Sequence, residues 1–434
     1  MENKDKNLDY NPFEHRKVKK PNSDIRSLAN LLKSSLGSGI LAVPLAFANA
    51  GWGVGLVGTI LIAFICAYSV HIFVKVSRDC CKAARKPLLS YTETCVVAFS
   101  IGPKRLRRFS RAAGIFAEIA LLLTYLGVCC IFTVLIADSI KQLCDTYLPN
   151  YILSVEYYCL MLLPPLCFLV QIRYLKWLAP MSLIANVLLI STFCICLYYI
   201  FKDEIIMSDK RIVGYPSRFP AFLSTVIFAM EGIGVVMPVE NNMKKPEHFL
   251  GCPGVLMIAM TFIMILYATL GLFGYLRYGD QLQGSITLNL PMDDWPAICA
   301  KIFIAISIFF TYPLHFYVVG DVVTRVSEPY IKEKYQNIAQ IFGRIAIVCF
   351  CGGIGMALPL LEQIINIVGS VFYSILGLII PGILDSVIRW DNLGKFNWIL
   401  WKNFLIVIFG ICSLVSGLTV TIFDIMEKVK EKSL

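Results

Sequence analysis

The stretch Leu31-Leu32-Lys33-Ser34-Ser35-Leu36-Gly37-Ser38-Gly39-Ile40-Leu41-Ala42-Val43-Pro44 decides how the chain is read. It lies inside an apolar segment of membrane length, residues 27–50. Gly37, Ser38 and Gly39 interrupt that segment near its middle, and Pro44 follows within two turns. Each Gly weakens a helix by about 1 kcal/mol relative to Ala, and Pro removes one backbone donor. Lipid cannot satisfy an unwound backbone, so such a break is tolerated only where protein or a polar cavity surrounds it. A second segment repeats the pattern: Phe228-Ala229-Met230-Glu231-Gly232-Ile233-Gly234-Val235-Val236-Met237-Pro238.

Composition supplies the setting. Of 434 residues, 57% are hydrophobic and only 16% charged, too few charges to cover a soluble surface. Mean hydropathy is +0.71. Apolar runs of about 20 residues match the hydrocarbon thickness as helices, whereas barrel strands would alternate every second residue. The expectation is an all-α integral membrane protein with eleven spans near 27–50, 52–74, 112–140, 152–170, 180–201, 221–240, 253–276, 296–320, 343–361, 363–384 and 401–423. Residues 1–26 form a polar tail and 424–434 a short C-terminal one. Nothing remains for a sizeable soluble domain.

The net charge is +10. Seven Lys and Arg lie in 1–26 and ten in 75–111, including Lys104, Arg105, Arg107, Arg108 and Arg111. The positive-inside rule puts the N-terminus in the cytoplasm and, with an odd number of spans, the C-terminus outside. Lys428, Lys430 and Lys432 oppose this mildly. Positive cytoplasmic loops account for the basic excess, so nucleic acid is not an expected partner. No cleavable signal peptide and no Asn-x-Ser/Thr sequon are visible. Cys144 is the clearest outer-loop cysteine and has no obvious partner. The run Arg16-Lys17-Val18-Lys19-Lys20 reads as a topology-setting flank. Tyr10-Asn11-Pro12-Phe13 matches a tyrosine-type sorting pattern that is short enough to arise by chance. The 75–111 loop is amphipathic enough to lie on the membrane, and the outer loops 202–220 and 277–295 are polar.

Two breaks at corresponding places in two halves point to a substrate site at the bilayer midplane between inverted repeats. Repeat one is 27–201, repeat two is 221–384, and 401–423 is an extra helix. At the first break, freed N–H groups beside a helix N-terminus suit a carboxylate, and freed carbonyls suit an ammonium. Close helix packing by small residues is the competing reading of Gly37, Ser38 and Gly39. At the second break, Glu231 is a carboxyl at membrane depth, where an unpaired charge costs about 3 kcal/mol or more. It could carry a proton, contact an ammonium, or accept from the first break. Glu118 is read as another buried acid and a second proton-coupling candidate. Lys33 either pairs with Glu240 or extends toward the headgroups. His71 and His315 lie within spans and read more naturally as packing residues than as proton relays. Gly53-Val54-Gly55-Leu56-Val57-Gly58 matches a dinucleotide fingerprint formally, but it opens a membrane helix with no strand before it. The four histidines share no metal-ligand spacing, so no metal site is expected.

Several stretches together resemble the proton-coupled amino acid transporters of the amino acid/auxin permease group, within the amino acid–polyamine–organocation superfamily. They are Leu31 through Leu45 with Asn49-Ala50-Gly51, Phe228 through Gly234 with Pro238-Val239-Glu240-Asn241, and Gly274-Tyr275-Leu276-Arg277-Tyr278-Gly279. Ile286-Thr287-Leu288-Asn289-Leu290-Pro291, Phe309-Phe310-Thr311-Tyr312-Pro313, and Val368-Gly369-Ser370 with Ile379-Ile380-Pro381 complete the set. The resemblance covers nearly the whole chain after residue 25. It implies an eleven-helix inverted-repeat carrier that moves small neutral amino acids such as glycine, alanine and proline, often with a proton. Members of that group carry a His just before the Leu-Leu-Lys of span 1, where this chain has Asn30, and another that aligns with Tyr68. Amide and phenol groups do not titrate near neutral pH. The outer-loop disulfide Cys of that group is missing after Leu290-Pro291.

The sequence therefore reads as a secondary transporter in a lipid bilayer, not an enzyme. Its small-molecule substrate would be an amino acid held by Gly37, Ser38, Gly39, Ile40, Phe228, Glu231, Gly232 and Gly234. No organic cofactor is expected, and a proton is the candidate co-transported ion. A plasma-membrane residence is favoured over an endolysosomal one. An amino acid sensor with little turnover and a pH-independent facilitative carrier are the alternatives. A membrane enzyme is disfavoured by the lack of a His/Asp/Ser or metal constellation.

Overall fold

The structure, a computed structural model, describes residues 10–16, 18, 21–35, 37, 39–148, 152–173, 175–205, 207, 209–230, 232–327, 331–358 and 360–433. The described residues are mostly helical. In chain order the helices are α1 Asp24–Ser35, α2 Gly39–Ala50, α3 Trp52–Ala84, α4 Tyr91–Ile101, α5 Ser110–Tyr147, α6 Val155–Leu169, α7 Leu175–Phe201 and α8 Phe219–Ala229. They continue as α9 Ile233–Asn241, α10 Val255–Tyr278, α11 Trp295–Ser327, α12 Glu333–Ala357, α13 Leu361–Ile367, α14 Ile380–Ile388 and α15 Trp398–Ser433. Two π-helical turns, Val368–Tyr373 and Ile375–Ile379, join α13 to α14. Among the described residues, nine helices are long and apolar enough to cross a membrane, and Gly39–Ala50 and Val155–Leu169 are shorter apolar helices.

Burial sorts these helices into a centre and a surround. In α2, every residue from Gly39 to Phe47 is buried, and α8 is buried along nearly its whole length. These two central helices pack on each other, with α3 and α10 against α2 and α15 against α8. A second group forms where α11 packs on α7 and α5, and α12 on α6 and α5. Outward-facing Phe64, Phe168, Leu183, Phe342 and Leu405 are all more than half exposed. A contiguous apolar exterior of this kind suits lipid rather than water.

Two loops differ from the sequence reading. The 75–111 region is largely helical: α3 runs on to Ala84, and α4 is a separate helix started by a capping box between Ser90 and Glu93. Rather than lying free on a membrane surface, α4 docks on the bundle. Tyr91 is buried and its hydroxyl donates to the Leu376 carbonyl at 2.7 Å. The 277–295 loop, expected to be polar and outward, folds inward, with Ile286, Thr287 and Leu290 buried. The side chain of Ile286 reaches Gly274 and Pro44 packs beside it, which leaves little room for a larger residue at 274.

Candidate functional site

The two broken helices run antiparallel and break at the same depth. At the end of the molecule that carries the N-terminal segment, Asn22 exchanges backbone hydrogen bonds with Asn242 and Lys244, both 2.8 Å. At the opposite end, the Gly214 N–H donates to the Ala50 carbonyl at 2.6 Å. Between these ties α1 stops at Ser35 and α2 starts at Gly39, while α8 stops at Ala229 and α9 starts at Ile233. The close approach depends on Gly39: a Cβ there would lie 2.8 Å from the Ala229 Cα and 3.6 Å from the Phe228 ring. Gly234 is equally constrained, because the Tyr125 hydroxyl occupies the space its Cβ would need.

This arrangement brings four helix ends together inside the bundle. The N-termini of α2 and α9 present the N–H groups of their first turns and the positive ends of their dipoles. The C-termini of α1 and α8 present carbonyls and the negative ends. A zwitterion has the complementary pair of charges. Ser35 is a buried polar group at this junction. Its carbonyl accepts from the buried Tyr267 hydroxyl. Among the described residues its own hydroxyl is buried without a hydrogen-bond partner, and it lies 3.1 Å from where a Gly232 Cβ would be.

Aromatic and polar side chains from neighbouring helices enclose the breaks. Phe228 stacks on Tyr373 with ring centroids 5.7 Å apart. Tyr373 belongs to the π-helical turn after α13, and such turns interrupt regular bonding and recur at functional sites. Thr225 donates to Asn366 Oδ1 at 2.9 Å, with both residues buried. From α5, Tyr125 covers Gly234 and lies 6.0 Å from the ring of His315 on α11, which Phe132 meets edge-on at 5.0 Å.

Gly39, Ile40, Phe228, Gly232 and Gly234 therefore surround the two breaks, and Gly37 lies within the first. Ser38 and Glu231 lie outside the described residues. The Lys33–Glu240 pairing is corrected. Lys33 is exposed. Glu240 is only 1% exposed and is held by Arg16 at 3.0 Å and Arg78 at 3.1 Å. Two guanidiniums reach the carboxylate from the N-terminal segment and from α3, positions that sequence proximity does not suggest. Glu118 is not a buried acid: it is partly exposed and paired with Arg325 at 2.9 Å. Tyr68 lies away from the breaks, below the Lys402 ammonium. Ser35, Tyr125, His315, Asn366 and Tyr373 were not singled out by the sequence as site residues. The signal available was a polar group in an apolar span, which cannot say which way a helix faces.

Comparison with known proteins agrees with this geometry. The family described as "Transmembrane amino acid transporter protein" matches residues 20–425. The chain is 37% identical to the "Proton-coupled amino acid transporter-like protein pathetic" of Drosophila melanogaster, over 96% of this chain and 88% of that one. It is 24% identical to the "Amino acid transporter AVT3C" of Arabidopsis thaliana, over 91% and 89% of the two chains. Among solved structures, the inward-facing conformation of Mhp1 superposes with a TM-score of 0.58 at 13% identity, covering 95% of this chain and 92% of that one. MhsT in complex with L-phenylalanine gives 0.50 at 13% identity, covering 90% and 98%. At that identity the two structures speak for the fold alone. A family match over nearly the whole chain and a relative at this identity make the protein a transporter rather than an enzyme, and the chain belongs to the transmembrane amino acid transporter protein family.

Proposed function

We propose that the protein is a secondary carrier of small neutral amino acids, of the glycine, alanine and proline class, working by alternating access. The observation that carries the reading is the convergence of two helix N-termini and two C-termini at one depth, with Gly39 against Ala229. In this reading the substrate carboxylate takes N–H groups at Gly37, Ser38, Gly39 and Ile40. The ammonium faces the carbonyl ends near Ser35 and Ala229 together with Glu231. Phe228, Gly232 and Gly234 shape the pocket. Phe228 stacked on Tyr373, and the Tyr125 hydroxyl over Gly234, place bulky side chains beside the breaks, in keeping with small substrates.

The two shorter apolar helices, α2 joined to α1 and α6, would bring the spans to eleven. The antiparallel broken helices support a 5+5 plan with repeats 27–201 and 221–384, flanked by the tails 1–26 and 424–434 and the extra helix 401–423. The positive-inside rule supports a cytoplasmic N-terminus. Asp424 near the end of α15 pairs with Arg218 at the end opposite the N-terminal segment, in keeping with termini on different sides. A plasma-membrane residence is the working assignment. The name of the Drosophila relative supports a co-transported proton. Glu231 is the sequence candidate for carrying it, and the exposed ion pair of Glu118 weakens that residue's case.

Uptake of labelled glycine, alanine and proline by cells expressing the full chain, at about pH 5.5 and 7.5, tests the proposal across the range where proton-coupled uptake should change. Saturable uptake that leucine and phenylalanine compete with poorly is expected. Absence of saturable uptake for any amino acid overturns the carrier reading, and binding without uptake in proteoliposomes would replace it with a sensor.

A further inference from the structure

His315 is placed where neither a lipid-facing nor a merely space-filling histidine needs to be. It sits half-buried on α11, with its ring against Tyr125 and Phe132 of α5. Its Nδ1 faces the Thr311 carbonyl at 3.4 Å, which fixes the tautomer with Nδ1–H donating and leaves Nε2 as the basic nitrogen. The second ring partner, Tyr125, is the residue whose hydroxyl fills the Cβ space of Gly234. Tyr125 thus lies between the His315 ring and the first turn of α9. That chain of contacts joins a titratable ring directly to the second break.

The charged and titratable groups on the packed elements leave this position to the imidazole. On α5 and α11, Glu118, Asp321 and Arg325 lie toward the N-terminal-segment end and pair with one another. Toward the opposite end, Lys301 is hydrogen-bonded to Gln142 and Lys141 to Asp145, with Asp138 on the same stretch of α5. From α12, Arg344 packs beside Gly320 and donates to the Val170 carbonyl at 2.7 Å. From α9, Glu240 is held by its two arginines. Among the described residues, the Tyr125 phenol is a titratable group whose ring meets that of His315.

We propose that His315 binds the transported proton and that Tyr125 passes its charge state to the break at Gly234. The inference rests on the proton-coupled reading above. The proton adds to Nε2 from water on the side to which the site is open and returns to water on the other side, so the imidazole is regenerated in each cycle.

The test uses the full-length protein in proteoliposomes with labelled proline. Accumulation driven by an inward proton gradient is divided by proline exchange in the same variant. In His315→Gln that ratio is expected to fall about tenfold or more, and the pH dependence of uptake between about pH 5.5 and 7.5 to flatten. A wild-type ratio and pH profile in His315→Gln overturn the proposal. Should wild-type protein itself show no gradient-driven accumulation, the coupled reading fails and this inference with it, an outcome distinct from failure in the variant alone. If His315→Gln does not fold, His315→Asn decides: a lost ratio supports His315, and a wild-type ratio and pH profile overturn the proposal.

Discussion

The two ends of the bundle are closed by different physics. At the end carrying the N-terminal segment, Glu240 lies buried between Arg16 and Arg78. Arg16 also donates to the Pro87 and Glu240 carbonyls, and Arg78 to the Pro246 carbonyl. The Phe13 ring lies 5.0 and 5.1 Å from the two guanidiniums. The Tyr10-Asn11-Pro12-Phe13 stretch is thus partly used in packing, with Phe13 tucked against the cluster. At the opposite end the ties are mostly neutral or exposed, and a group of backbone hydrogen bonds joins residues 50–54 to 211–214. Asn49 donates to Glu362 at 3.3 Å and Thr225 to Asn366. Arg211–Asp280 and Lys202–Asp294 are surface pairs, each partner 40% exposed or more. A buried cluster opens all at once, because a lone buried charge is costly, whereas separate weak bonds can open one at a time. In the alternating-access cycle proposed above, the first end would be the stiffer barrier and the second the easier door.

Breaking the cluster should give the largest effect. Glu240→Ala leaves two buried guanidiniums facing each other, a change that typically costs about 3–5 kcal/mol. The expected readout is a large fall in thermal stability of the purified protein, together with thiol labelling of Cys81, which is buried beside this cluster. Unchanged stability and an unreactive Cys81 would mean that the cluster does not hold this end shut.

The next effect belongs to the meeting point of the breaks. Gly39→Val would drive a side chain into the Ala229 backbone, and overpacking of this kind costs about 1–3 kcal/mol. Uptake should fall at least about tenfold at matched surface expression, the amount that a loss near 1.4 kcal/mol at the site would produce. Gly353→Ala on α12 is the control, since nothing lies within 4 Å of the added Cβ there. Equal tolerance of both substitutions would show that transport does not need the close approach.

A smaller effect is expected at the easier door. Asn366→Ala removes the acceptor of Thr225 and leaves a buried hydroxyl unsatisfied, at a cost of about 1–3 kcal/mol. Because that bond ties α8 to α13 between the site and the opposite end, the variant should shift toward the state open at that end. Its KM measured from that side should change more than its maximal rate. A loss of maximal rate with KM unchanged would assign the bond to folding alone.

The breaks themselves were legible because Gly, Ser and Pro, crowded into one short stretch of an apolar segment, weaken the helix there more than anywhere else in it. Their spatial pairing was legible only as a matter of symmetry between the two halves, and the structure adds the contact of Gly39 with Ala229. Long-range charge pairing was not legible. Glu240 finds Arg16 and Arg78, separated from it by 224 and 162 residues, while the nearer guess Lys33 faces outward. The pocket walls were hidden for a different reason. Helices such as α5 and α11 are apolar on nearly all sides, so their sequences carry little periodic signal for which face looks inward. His315 read as a packing residue for the same reason, and only its ring contacts with Tyr125 and Phe132 distinguish it. The family resemblance rested on ordered motifs, which survive where side-chain facing does not.

The smallest effect lies on the exposed surface of the easier door. Asp294 accepts from Lys202 and from the Tyr199 hydroxyl, both at 3.0 Å. Those hydrogen bonds, followed by the Lys202 charge, hold the Asp294 carboxyl below its ordinary range, and the same carboxylate raises Lys202. A depressed carboxyl contributes fully above its unfolded value of about 3.9 and loses that contribution as pH falls through the folded value. A raised lysine contributes fully below about 10.4 and loses it as pH rises through its folded value. The pair is therefore intact from about pH 4 to 10 and cannot produce a transport midpoint between about pH 5.5 and 7.5. Asp294→Asn should leave the pH profile of uptake unchanged within that window, with any loss of stability confined to a pH-independent offset. A shifted midpoint in this variant would place proton sensing at the surface of the door, and the division between a charged, all-at-once barrier and a loosely tied one would have to be redrawn.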